Sequence, residues 1–242
     1  MSKYLIRAAV IGAAIALLAA ASALAKPEVA RVGNLILHDN GGITPTKLPR
    51  HEQAPVAAHI NGKISTVDGS HPPALKAVIA DFDKNIKVNA KGLPACKLNQ
   101  LQARDTKTAE KACPDAIVGS GEAEVAVSFP EQAPFGATVL YIHAYVSVPA
   151  PTAVVATVKV SKINRGHFGQ HATVDVPVIA GGAGSVTKFR LKVDRKFTYR
   201  GKKQSYLTAS CPTGVYYAEG IVEFTDGPTL EVSHILPCAP KD

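Results

Sequence analysis

Residues Val222–Val232 read VEFTDGPTLEV. Val222 and Phe224 alternate with Glu223 and Thr225, and Leu230 and Val232 resume the alternation after Asp226-Gly227. Alternation with period two puts one set of side chains in a core and the other in water, which is the pattern of a half-buried strand. Asp-Gly between two such runs is a hairpin signal, because it tolerates the left-handed backbone that a tight turn needs. Pro228 makes this turn less regular.

The same reading extends outward. In Glu122–Phe129, Ala123, Val125, Val127 and Phe129 share a face opposite Glu122, Glu124 and Ser128. In Thr187–Val193, Phe189, Leu191 and Val193 face inward, while Lys188, Arg190 and Lys192 face outward. Further strands are predicted over Val32–Leu37, Val56–Ser65, Ala77–Asp83, Thr138–Val146, Val154–Ser161 and Thr173–Ile179. Short strands separated by turn residues predict an all-β fold, here an antiparallel β-sandwich. Lys97–Ala112 departs from this pattern, being rich in Leu, Gln, Ala, Lys and Glu, which favour helix. Asp105 or Thr106 is placed to cap a short helix ending at Ala112, a helical excursion between Cys96 and Cys113.

The chain opens with Lys3 and Arg7, continues with the apolar run Ala8–Ala21, and reaches Ala23-Leu24-Ala25 before Lys26. That is the three-part layout of a signal peptide with cleavage after Ala25. The run is shorter than the roughly 20 apolar residues a membrane-spanning helix requires. The expected organisation is therefore a signal peptide over 1–25, an extended leader with one short strand over 26–50, and a single β-sandwich domain over 51–242. Export makes the expected location secreted or envelope-associated, with no transmembrane segment after cleavage.

Four cysteines are present, Cys96, Cys113, Cys211 and Cys238. An even number in an exported chain reads as a disulfide framework. Three pairings are possible, and the two local ones, Cys96–Cys113 and Cys211–Cys238, are favoured. Each would close a modest loop worth about 3 kcal/mol in the loop-entropy model. Pro94, Pro114, Pro212 and Pro237 flank the cysteines, which suits loops and strand ends. No C-x-x-C pair supports zinc instead.

Three segments stand in order: Ile64–Asn85 (ISTVDGSHPPALKAVIADFDKN), Lys91–Glu124 (KGLPACKLNQLQARDTKTAEKACPDAIVGSGEAE) and Ser205–Gly214 (SYLTASCPTG). A C-terminal FTDG at Phe224–Gly227 with Cys238 follows them. Together they resemble a group of uncharacterised exported proteins of soil actinobacteria, over most of the chain beyond the signal peptide. The resemblance implies export and a shared architecture, and it implies no activity, cofactor or catalytic residue.

No catalytic motif stands out. His167 and His171 have H-x-x-x-H spacing, but Gly166 and Gly169 argue against the helix that would align them for a metal. Gly119-Ser120-Gly121 lacks the spacing of a nucleophile elbow. Asp81 and Asp83 share one side of a strand, which suits an acid/base or cation pair as well as a solvated face. Gly181-Gly182-Ala183-Gly184 lacks the lysine of a phosphate-binding loop. No cofactor, metal site or catalytic residue is expected.

Two surfaces could bind. Tyr141, His143 and Tyr145 share one strand face, opposite Leu140, Ile142, Ala144 and Val146. Such a face could stack a sugar or hold a partner, or be core. The absence of Trp weakens the sugar reading. The second surface is Lys188–Lys203, KFRLKVDRKFTYRGKK, in a chain of net charge +8. Lys188, Arg190 and Lys192 project from it as a basic strand face suited to an anionic envelope polymer or lipid surface. The same charges would also guard an edge strand against aggregation. Nucleic acid is not an expected partner outside the cell. The sequence thus points to a non-catalytic binding or structural protein of the envelope or exterior. An extracellular, metal-assisted hydrolase using His143, His167 or His171 and a purely structural or assembly component are the alternatives.

Overall fold

The computed structural model describes residues 28–96, 106–127, 135–140, 145–147, 153–155, 157–176, 178 and 184–241. Residues 1–25, expected to be a signal peptide, and Tyr141 and His143 lie outside these residues. Strands are numbered along the chain. One eight-stranded sheet runs, in spatial order, β1 (Glu28–Val32), β2 (Leu35–Thr44), β5 (Ala57–Thr66), β14 (Gly184–Val193), β8 (Gly119–Val127), β9 (Phe135–Leu140), β10 (Tyr145–Ser147) and β11 (Ala153–Val155). A five-stranded sheet runs β12 (Thr157–Arg165), β13 (Phe168–Asp175), β6 (Leu75–Asp83), β18 (Val215–Phe224) and β19 (Leu230–Pro237). Neighbouring strands within both sheets are antiparallel.

The two sheets form a sandwich because each offers one apolar row to the other. Leu35, Leu37, Ile64, Ala123, Val125 and Val186 come from the larger sheet. Leu75, Val222, Phe224, Leu230 and Val232 come from the smaller one, and all are buried together. The period-two alternation read from the sequence is therefore the physical division between core and outer faces. The hairpin at Asp226-Gly227 joins β18 to β19, with Gly227 at φ 112° as the turn requires.

A second apolar cluster closes one end of the sandwich around the Cys211–Cys238 disulfide. Leu48, Val56, Ile86, Ala209, Tyr216 and Leu236 pack against it. Three small sheets support this end. They are β4 (Ala54–Pro55), β17 (Leu207–Ala209) and β7 (Ile86–Val88); the hairpin β15 (Lys196–Tyr199) with β16 (Lys202–Ser205); and the parallel pair β3 (Lys47–Pro49) with β20 (Ala239–Lys241). Burial raises the phenols of Tyr206 and Tyr216 to about 12, and the Asp83 charge adds to the effect at Tyr216. The second disulfide joins Cys96 to Cys113, on either side of helix α1 (Thr106–Ala112). Both local pairings and the helical excursion are present.

The N-terminal segment differs from the expected leader. Val32–Leu37 is not one strand: Gly33, at φ 57°, and Asn34 turn β1 back into β2. Asn40-Gly41-Gly42 continues within β2, paired with Asn61, Ile60 and His59 of β5. Leu35 and Leu37 sit in the main core, so this segment is part of the sandwich.

Candidate functional site

The basic strand β14 is an interior strand, paired with β5 on one side and β8 on the other. Its cations therefore do not guard an edge. Lys188, Arg190 and Lys192 are exposed and stand in register with Lys63, Asn61 and His59 of β5. His38, Asn40 and Gly42 of β2 continue the three rows. This parity places a polar set on the outer face of the eight-stranded sheet, while Phe189 and Leu191 pack against the core.

Small residues hollow this face. A Cβ on Gly42 would lie 2.7 Å from Cε1 of His59, so glycine there makes room for the imidazole. A shallow groove of about 540 Å³ follows, lined by Thr44, Ala57, His59, Asn61, Ser120, Arg190 and Lys192 among others. The charges have neighbours. Lys188 Nζ is 2.9 Å from Glu124 Oε1, and Lys192 Nζ is 2.7 Å from Asp194 Oδ2. Exposed pairs of this kind are worth about 0–1 kcal/mol, so an anionic ligand can compete for them. Of the large apolar side chains described as exposed, Val29 of β1 lies on this face, at the sheet edge in the row of His38, Lys63 and Lys188.

The outer face of the five-stranded sheet carries a different arrangement. Ser161, His171, Asp81, Glu219 and Ser233 stand in one row across all five strands. Asp81 Oδ1 is 2.6 Å from His171 Nδ1, and its Oδ2 accepts from Arg165 Nη2 at 2.5 Å. Arg165 Nη2 also donates to Glu219 Oε2 at 2.7 Å. Glu219 and Asp81 together raise the Arg165 pKa, keeping it charged. His171 Nε2 lies 3.2 Å from Thr173 Oγ1. Next to this row the His167 and Tyr217 rings stack at 4.3 Å between centroids. Asp81 is buried beneath these groups, whereas Arg165 is well exposed.

His167 and His171 therefore do not act as a pair: one lies in the β12–β13 turn against Tyr217, the other on β13 against Asp81. Asp83, two residues from Asp81, is committed to structure, accepting from Asn85 N and Nδ2 and from Tyr217 N. Among the described residues no three His, Cys, Asp or Glu side chains converge as metal ligands. Asp81, His171 and Thr173 have the connectivity of an acid, base and hydroxyl. Arg165 holds the carboxylate as well, and the hydroxyl lies two residues along the same strand on an open sheet face. That arrangement makes a polar network. Tyr145 lies in β10.

Sequence reasoning did not single out His59, Asn61, Arg165, Tyr217 or Glu219. Alternation was the available signal: His59, Asn61 and Lys63 alternate with Ile60 and Gly62, and Tyr217 and Glu219 alternate with Tyr216 and Ala218. No family model and no curated protein matches the chain. Among solved structures, the chain is similar to the Clostridium perfringens NetB toxin in its membrane-inserted form, at 7% identity. That alignment covers 88% of this chain and 90% of the toxin chain with a TM-score of 0.25, a likeness too slight to carry any argument.

Proposed function

We propose that this is a non-catalytic exported protein that binds an anionic polymer of the cell envelope through the outer face of its eight-stranded sheet. The observation that carries the reading is the groove over β5, β14 and β8, where Arg190, Lys192, His59, Asn61 and Ser120 line one depression. Cations supply attraction to a polyanion, and the amide and hydroxyl supply hydrogen bonds to its backbone. A polymer suits this face better than a lipid surface, because the cations border a depression that can seat a chain, and a single exposed valine, Val29 at the sheet edge, gives little to insert among lipid tails. The two disulfides fit the oxidising conditions outside the cytoplasm. No helix among the described residues is long and apolar enough to cross a membrane.

The test is retention on purified cell walls, with anionic phospholipid vesicles as a second arm. Charge reversal at Lys188, Arg190 and Lys192 is expected to abolish retention on walls, and raised salt is expected to weaken it in the unaltered protein. Unchanged retention by the triple variant overturns the reading. Binding to vesicles but not to walls replaces the polymer with a lipid partner.

A further inference from the structure

We propose that the outer face of the five-stranded sheet is a second binding site, separate from the basic face, for a neutral saccharide chain. Three features of that face carry the inference. The first is the continuous polar row Ser161, His171, Asp81, Glu219 and Ser233, one side chain from each strand. Adjacent strands are about 4.8 Å apart, close to the length of one sugar ring, so an extended chain along the row meets one side chain per residue. Ser161 and Ser233 are exposed at its two ends.

The second feature is charge. The carboxylates of Asp81 and Glu219 are both bound by Arg165, and His171 is hydrogen-bonded to Asp81. Arg165 is shared between two carboxylates, so the row holds no surplus positive charge for a polyanion. It does hold a donor and acceptor side by side, since Arg165 is 60% and Glu219 39% exposed. Adjacent hydroxyls of a sugar need that combination, one accepting and the other donating.

The third feature is the apolar border. On one side the neighbouring row is Lys159, Thr173, Ile79, Ile221 and Glu231, with the adjacent pair Ile79 and Ile221 at its middle. On the other, Tyr217 stacks with His167, and Ile235 is 63% exposed beside it. A sugar ring has C–H faces and hydroxyl edges, and a hydrogen-bonding row with an apolar patch on either side of its middle matches both. The ring pair supplies the platform that sequence reading sought at Tyr141, His143 and Tyr145.

The test is calorimetric titration of the purified full-length protein with two neutral probes, chitotetraose and cellotetraose. Saturable binding to at least one is expected, with amide NMR shifts centred on Tyr217, Glu219 and Ser233. Tyr217→Ala should bind about tenfold more weakly, while Tyr217→Phe, which keeps the ring, should stay within about twofold. Glu219→Gln should also weaken binding, and reversal of Lys188, Arg190 and Lys192 should leave it unchanged. No saturable binding by the unaltered protein overturns the proposal. So does equal affinity in a folded Tyr217→Ala, or loss of binding in the basic-strand variant. None of these outcomes bears on retention of the protein by cell walls.

Discussion

His234 occupies a core position. Leu230, Val232, His234 and Leu236 are the four buried residues of β19, so an imidazole stands in the row that otherwise fills the core. Its Nε2 is 2.9 Å from Oδ2 of Asp39 on β2, so the pair ties one sheet to the other. The Asp39 hydrogen bond raises the His234 pKa above its ordinary 6.5; burial opposes this, and the Asp39 and Glu28 charges add to it. The sign of the linkage follows. A raised pKa contributes stability that is complete below the unfolded value and is lost as pH rises through the folded one. The thermal midpoint should therefore fall as pH rises above the ordinary histidine value of 6.5 and through the raised folded one. Asp39→Asn should flatten that slope and cost about 3 kcal/mol, because it breaks a buried pair. An identical pH profile in Asp39→Asn would show that the pair is not responsible. The alternation of β19 was legible in the sequence as far as Val232. The partner of His234 was not, because it lies on a strand almost two hundred residues away and no local spacing encodes it.

Alternation says which side of a strand meets water, and it reads the same at the edge of a sheet and in its middle. That is why the faces of Lys188, Arg190 and Lys192 were correctly assigned while the interior place of β14 was not evident. Its place is set by complementary neighbours, β5 and β8, whose apolar rows share its core face. One contact shows how closely they fit. Phe189 lies over Gly62 of β5, and a Cβ at Gly62 would come within 2.2 Å of its ring. Gly62→Val should therefore displace the ring and destabilise the protein by about 2 kcal/mol, read as a lower thermal midpoint. An unchanged midpoint would mean that the β5–β14 pairing can relax around the substitution. The polar row of the smaller sheet shows the same limit more sharply. Its members lie at positions 81, 161, 171, 219 and 233, and only sheet order brings them together. Asp81 and His171 were each visible as candidates, but their meeting was not.

At the scale of the whole molecule, the two disulfides hold different places. Cys211 is fully buried within the second apolar cluster, whereas Cys113 is half-buried beside a short helix. A mild thiol reductant under native conditions should open Cys96–Cys113 first, followed by alkylation and peptide mapping. Opening of Cys211–Cys238 first would contradict the packing. Replacing Cys211 and Cys238 by Ala should cost about 3 kcal/mol by freeing the loop between them. The pairing was legible because both partners are near in sequence. What was not legible is what the second bridge sits beside. Cys238 is followed directly by β20, which lies parallel to β3 from near the other end of the described chain. A chain emerging residue by residue therefore presents β3 and Cys211 long before their partners exist. The end of the sandwich can close only when residues 238–241 arrive, so the order of delivery keeps this step from being an early one. Until then an open strand edge and a free thiol stand waiting, and that is the interval in which a helper protein or an oxidant would have something to hold.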